Sequence, residues 1–393
     1  QSVTGRSFLS DRVQQLGVSP IREIFEIVAK MKDVVRLEVG EPDFDTPAYI
    51  VDACKAALDD GFTHYTSFGG IPELRKALAD KLRRENGIEV NPENQVVITP
   101  GGTGALYEAV QATVNPGEEV LLPSPGWPQY TSIVQFAAAT PAHYPITESG
   151  GFMATRALIE PLINHKTKVL LINSPSNPTG GVIDPDALEG ICNLVRERDI
   201  LLFSDEVYEL ILYEGDHVSP AALPGMAERT VTINAASKTF AMTGWRIGYA
   251  AGPADIITEM TKLNLYTNTH PNSFAQLACV EGYNNQQQDV LDEMVSSYRQ
   301  RRDFMGKNLN ELPGIRCPNP KGAFYLFLNI EGTGLSSMEF AKTLLEKGGV
   351  STVPGSGFGP GGEGYLRLCF AQSMEELEKA VDRMAKVTEE LKG

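Results

Sequence analysis

The segment TVTINAASKTFAMTGWRIGYAAG, residues 230–252, starts as an unbroken β-prone run and then places Lys238 and, further on, Arg246 in the chain that follows. A run such as TVTINAA, short and rich in Val, Ile and Thr, reads as a strand of a buried sheet. The runs NQVVITPGG, EEVLLPSPG, KVLLINSPSNPTG and ILLFSDE share that character. Between several of them lie segments such as TGALYEAVQATV and DPDALEGICNLVRERD, where apolar positions recur at helical spacing. Strands that alternate with helices predict βαβ units, and so an α/β fold whose mostly parallel sheet is flanked by helices.

The two ends of the chain read differently. Ser19 can cap and Pro20 can open a helix whose Ile21, Ile24, Phe25, Val28 and Met31 share one face. The last hundred or so residues mix strands such as AFYLFLNI with helices such as MEELEKAVDRMAKVTEELK, an α+β pattern. This change of style near residue 285 divides the chain into a large α/β domain, 48–284, and a smaller α+β domain built from 1–47 plus 285–393. No internal repeat or low-complexity tract interrupts it.

With 393 residues, 42% of them apolar, the chain can bury large cores. No window approaches the roughly 18 uninterrupted apolar residues of a membrane span. The start, QSVTGRSFLS, lacks the charged-then-apolar order of a signal peptide. Cys54, Cys192, Cys279, Cys317 and Cys369 are scattered without a CxxC pair, which reads as reduced thiols. A soluble, cytoplasmic protein is the expectation. The formal net charge of -16 argues against nucleic-acid or anionic-membrane partners, so any anion it binds calls for local cations.

Polar residues interrupt the apolar runs at their C-terminal ends, the edge of an open α/β sheet where ligands bind. Gly101 to Thr103, Trp127, Asn177, Asp205 and Lys238 should therefore converge. Each alone has a bland reading as turn, core residue, loop, helix cap or surface lysine; their shared position at strand ends favours a site. GFGPGG, Gly357 to Gly362, matches GxGxxG, but no helical pattern opens after it and Pro360 sits inside it, so it reads as a flexible loop rather than a dinucleotide site. His64, His143, His165, His217 and His270 show no ligand spacing, and no metal is expected. Asp205 and Glu206, adjacent on a strand, point to opposite faces and do not form a glycosidase pair.

TPGGTGAL, SPGWPQY, SPSNPTG, SDEVY, SKTFAMTGWRIG and YLRLCF, in this order and spacing, resemble the pyridoxal-phosphate-dependent aminotransferases of fold type I (class I/II), in the aspartate and aromatic aminotransferase group. The resemblance runs from VGEPDFDTP, residues 39–47, to the C-terminal helix. It implies ping-pong transfer of an L-amino acid's amino group, aspartate or aromatic, to 2-oxoglutarate through a Schiff base of pyridoxal 5'-phosphate. Lys238 would be the amine that holds the cofactor and moves the Cα proton, in apolar surroundings that keep it partly neutral. Asp205 would partner the pyridine nitrogen, Tyr208 and Asn177 the ring hydroxyl, and Trp127 would stack on the ring. Gly102 and Thr103 at a helix start, with Arg246, would hold the phosphate. Tyr65 in HYTSFGGIPELR would reach the phosphate of the neighbouring subunit, which implies a homodimer with shared active sites. Arg367 would bind the substrate carboxylate with the N–H of Gly40, beside Trp127 and Asn177, and draw the small domain over the site.

Two positions depart from the family pattern. Ala235 stands where serine or glycine is usual, so one phosphate contact is missing or supplied otherwise. NLYTNTHPNS, Asn264 to Ser273, lacks the second arginine of the best-known aspartate enzymes; Tyr266, Asn268, Thr269 and His270 suit acidic and aromatic side chains alike, and only a strong preference for aspartate would call for a cation elsewhere, Arg22 or Lys262. Rival readings are carbon–sulfur β-elimination on the same cofactor, and a non-catalytic pyridoxal-phosphate-sensing module, which would need a DNA-reading domain and a basic segment.

Overall fold

The computed structural model describes residues 8–16 and 20–392. The predicted runs become β1 (Val96–Thr99), β2 (Glu119–Ser124), β4 (Thr167–Asn173), β5 (Leu201–Asp205) and β6 (Thr230–Ala235), joined by two further strands, β3 (Thr140–Pro145) and β7 (Gly248–Ala251). Together they form one seven-stranded sheet in the order β1-β7-β6-β5-β4-β2-β3. All neighbours are parallel except at β7, which runs antiparallel to both β1 and β6.

Both faces of the sheet are covered, and its inner strands are buried along almost their whole length. Val97, Leu122, Leu171, Phe203 and Ile233 join one core with residues of helices Gly101–Thr113, Gln129–Phe136 and Ala254–Thr267. Leu121, Leu170, Ile172 and Leu202 join another with helix Pro185–Arg198. That helix starts where the sequence signals it: Asp184 caps it by accepting from the Ala187 N–H at 2.8 Å, with Pro185 as its first residue.

The C-terminal part has its own antiparallel sheet, in which β10 (Tyr365–Cys369) lies between β8 (Tyr325–Asn329) and β9 (Val353–Pro354). Helices Gln288–Leu309, Ser337–Gly348 and Met374–Lys392 accompany it. The N-terminal segment is tied to this part, since Val35–Arg36 pairs in parallel with Val350–Ser351 and the Cys369 N–H donates to the Leu37 carbonyl. Helix Pro20–Val28 buries Ile24 and Val28 as expected, but Phe25 stays exposed and Met31 lies beyond the helix end. Ser19, its expected cap, lies outside the described residues.

GFGPGG is no flexible loop. It forms two short 3₁₀ turns, Gly355–Phe358 and Pro360–Gly362, with Phe358 buried. The turns are pinned to the end of β2, where the Gly361 N–H donates to Ser124 Oγ and the Gly126 N–H to the Phe358 carbonyl. Side chains at Gly355 or Gly362 would strike the other's carbonyl, each at 1.9 Å from a built Cβ, so glycine here serves close backbone packing and not mobility.

Candidate active site

A cavity of about 770 Å³ opens at the C-terminal ends of β4, β5 and β6. Gly40, Gly102, Thr103, Trp127, Asn177, Asp205, Tyr208, Lys238, Arg246 and Arg367 all line it. Residues far apart in the chain thus meet, most of them at or just beyond the C-terminal ends of the large sheet's strands, with Arg367 brought in from a strand of the small sheet.

Lys238 sits in the single-turn helix Ala236–Thr239 directly after β6. Its Nζ donates to the Gly40 carbonyl at 2.5 Å and lies 5.8 Å and 5.6 Å from the ring centres of Tyr208 and Phe324. Burial disfavours the ammonium and brings it down to about 8. Asp205 ends β5 and is only 3% exposed. Burial pushes its carboxyl up to about 6, while Tyr130 Oη, donating to Oδ2 at 2.6 Å, pulls it back by stabilising the carboxylate. Glu206 faces the other way, as strand alternation requires, and accepts from Ser204 and Ser219.

At the opposite wall Arg367, on β10, donates through Nη1 to Asn177 Oδ1 at 3.0 Å and through Nη2 to the Glu38 carbonyl at 2.7 Å. Its guanidinium lies 4.6 Å from the Tyr325 ring centre and 5.0 Å from that of Phe358. Its Nε is buried and has no hydrogen-bond partner among the described residues. Tyr208 and Tyr325 hydroxyls lie 2.7 Å apart. Gly40 passes under this pair so closely that a Cβ there would meet Tyr325 Oη at 2.3 Å.

The third wall is the start of helix Gly101–Thr113, whose first N–H groups have no partner within the helix. Gly101 and Arg246 both have positive φ, +73° and 58°, and a Cβ on Gly101 would meet Arg246 Nη2 at 2.3 Å. Arg246 Nη1 donates to the Thr243 carbonyl, which aims the guanidinium along the helix start. Ala235 also lines the cavity, 3.7 Å from where a Cβ on Gly102 would lie, and brings a methyl group where a hydroxyl would have added a donor. Trp127 is half-buried, edge-on to Tyr130 at 5.4 Å between ring centres.

Five predicted residues stay outside: Tyr266, Asn268, Thr269 and His270, expected beside the substrate side chain, do not line the cavity, nor does Tyr65. Tyr65 is 87% exposed and stands edge-on to His270. Conversely, no sequence pattern marks Tyr130 or Tyr325, which both line the cavity. Tyr130 lies in the quoted SPGWPQY, three residues after Trp127, but nothing in the motif names its partner; Tyr325 sits in a run that reads only as core. Sequence spacing also missed a buried cluster behind β5. Donor atoms of Glu206, Glu209 and His217 lie within 4.8 Å of one another, and the Lys81 ammonium donates to Glu209, so the cluster's carboxylate charge is met by a cation.

The residues fit a pyridine ring bearing a phosphate. A phosphate suits the helix start and Arg246, a carboxylate suits the orphaned Arg367 Nε, and an aldehyde suits an amine held near 8. Residues 32–384 match the family model described as aminotransferase class I and II. The chain is 44% identical to an aspartate aminotransferase of Pyrococcus abyssi, over 98% of this chain and 99% of that one, and 42% identical to aromatic-amino-acid aminotransferase 2 of Thermococcus litoralis, over 98% and 99%. The solved structure of Thermus thermophilus aspartate aminotransferase with maleate superposes with a TM-score of 0.93 at 40% identity, covering 97% of this chain and all of that one. Fold and site thus define a pyridoxal-phosphate-dependent transferase. The chain belongs to the class I and II aminotransferases, in the aspartate and aromatic group, whose substrates are amino acids and 2-oxo acids.

Proposed function

We propose that the protein transfers the amino group of aspartate and of aromatic L-amino acids to 2-oxoglutarate, as a homodimer in the cytoplasm, and that the residues of the cavity carry the reaction as follows. Bound pyridoxal phosphate supplies an aldehyde for amines and a ring that takes up the electron pair freed at Cα. Lys238 Nζ would be the protein's amine for that aldehyde and would take the proton from the substrate Cα; a value near 8 leaves a useful neutral fraction at neutral pH. Asp205 holds a proton at the ring nitrogen, and Tyr130 holds Asp205. Tyr208 and Asn177 meet the ring hydroxyl, Trp127 covers the ring face, and Gly102, Thr103 and Arg246 bind the phosphate. Arg367 takes the substrate carboxylate with the Gly40 N–H, exchanging its bonds to Asn177 and Glu38 or adding Nε to them.

The exposure of Tyr65 supports its use by a second copy, since a tyrosine serving its own site would line the cavity. The division into 48–284 and 1–47 plus 285–393 is supported by packing: helix Ala48–Asp59 lies on helix Ser273–Asn284, whereas Val35–Arg36 pairs with Val350–Ser351. No helix among the described residues is long and apolar enough to cross a membrane. The names of the relatives do not favour carbon–sulfur elimination or a non-catalytic sensor.

The observation that carries the reading is that an amine near 8, a buried carboxylate, Arg246 and Arg367 line one cavity. A half-reaction screen tests it: the cofactor spectrum of the holoenzyme should change with aspartate and with tyrosine or phenylalanine, releasing the matching 2-oxo acid, and 2-oxoglutarate should reverse the change. Release of ammonia and pyruvate from cysteine-type donors, with no spectral response to aspartate or aromatics, would refute it. A preference for aspartate over every aromatic donor above roughly 10⁴ in kcat/KM would refute the broad donor range.

A further inference from the structure

Among the described residues, four cations line the cavity: Arg22, Lys238, Arg246 and Arg367. The proposed reaction uses three of them and leaves Arg22 without a task. Arg22 stands on helix Pro20–Val28 with its side chain 71% exposed, and its Nε donates to Glu26 Oε1 at 2.8 Å one turn along the same helix. An exposed pair at this spacing is weak and exchanges readily for a better acceptor.

The helix beneath it is held firmly. Ile24 and Val28 are buried, Glu23 pairs with Lys342 at 2.6 Å, and Gly357 packs so near Ile21 that a Cβ there would lie 2.9 Å from Ile21 Cγ1. A fixed backbone thus carries a long side chain whose charged end can swing. Ile21 and Phe25 of the same helix also line the cavity and offer it apolar surface beside that charge. Lys262, the other cation near the arginine-free segment Asn264 to Ser273, does not line the cavity and pairs with Glu259.

We propose that Arg22 is the specificity residue for acidic substrates: it leaves Glu26 to bind the side-chain carboxylate of aspartate, glutamate or their 2-oxo acids, and returns to Glu26 when an aromatic side chain rests on Ile21 and Phe25. The planar guanidinium suits two-pronged carboxylate binding. Because the competing acceptor is built into the same helix, no buried charge is stranded when an apolar substrate enters. This proposal rests on the donor range proposed above.

The test compares kcat/KM for aspartate and phenylalanine in the holoenzyme. Arg22→Gln should lower the aspartate-to-phenylalanine ratio by about 10- to 100-fold, through KM for aspartate, as expected for loss of a hydrogen bond to a charged group. Arg22→Lys should keep part of that ratio, and Glu26→Gln, which removes the competitor, should raise it by about 2- to 5-fold. In parallel, maleate, a dicarboxylate that cannot react, is titrated against the cofactor absorbance, and Arg22→Gln should weaken its Kd about 10-fold or more. An unmoved ratio in Arg22→Gln overturns the proposal, as does Glu26→Gln lowering it. If the parent protein turns over neither donor, the donor range fails on that ground and the maleate titration decides Arg22 alone: an unchanged Kd overturns it, a weakened one sustains it. Should Arg22→Gln fail to fold, the direction of the Glu26→Gln change decides.

Discussion

Tyr130 shows how a single hydroxyl sets the chemistry of its neighbour. Burial shifts Asp205 towards its protonated form, up to about 6, and Tyr130 Oη is the side-chain donor that opposes this shift. Removing the donor destabilises the carboxylate, so its pKa rises and the acid limb of the kcat/KM profile should move to higher pH in Tyr130→Phe. The shift should be roughly 1 to 2 pH units, the equivalent of a hydrogen bond to a charged group. A limb that stays in place or moves to lower pH would show that Tyr130 does not tune Asp205. The same two residues mark what a sequence reveals. Asp205 was legible because it ends an apolar run at the ligand-binding edge; Tyr130 was not, because its meaning depends on a partner 75 positions away.

At the scale of elements, helix Gly101–Thr113 has two jobs that compete for its residues. Its start faces the cavity, and its body covers the sheet, where Glu108 is 1% exposed with neither carboxylate oxygen hydrogen-bonded among the described residues. Burial pushes Glu108 up to about 8 from an ordinary 4.5. Between those values the folded protein keeps a proton that the unfolded chain gives up, so stability falls as pH rises through that window. Glu108→Gln has no such proton, and its stability gain over the parent should therefore grow from pH 5 to pH 8, to roughly 2–4 kcal/mol. Thermal midpoints at those two pH values check this, and a pH-independent difference would contradict it. Elements varied in legibility for physical reasons. The central strands stand out because burial on both faces demands unbroken apolar runs. β3 carries Pro141 and Pro145, which an edge strand tolerates and a central one would not, and β7 is four small or aromatic residues, GYAA, that carry no strand signature by themselves. GFGPGG was misjudged because glycine signals mobility and close packing equally, and only the neighbouring backbone tells which applies.

For the whole molecule, the site exists only when both sheets are in place. Arg367 from the small antiparallel sheet bonds Asn177 beyond the end of β4, and the N-terminal segment delivers Gly40 to Lys238 at the end of β6. Neither long-range meeting could be read from local pattern; the family resemblance supplied the residues, and the fold supplies the reason they meet. Cofactor attachment at Lys238 is the claim on which every other assigned role depends. Its most direct test is to treat the holoenzyme with borohydride, digest it and locate the cofactor by peptide mass spectrometry. The label should fall on the peptide containing Lys238 and on no other, and Lys238→Ala should carry none while losing transamination by several orders of magnitude. Label on a different lysine, or near-parental turnover in Lys238→Ala, would contradict the assignment.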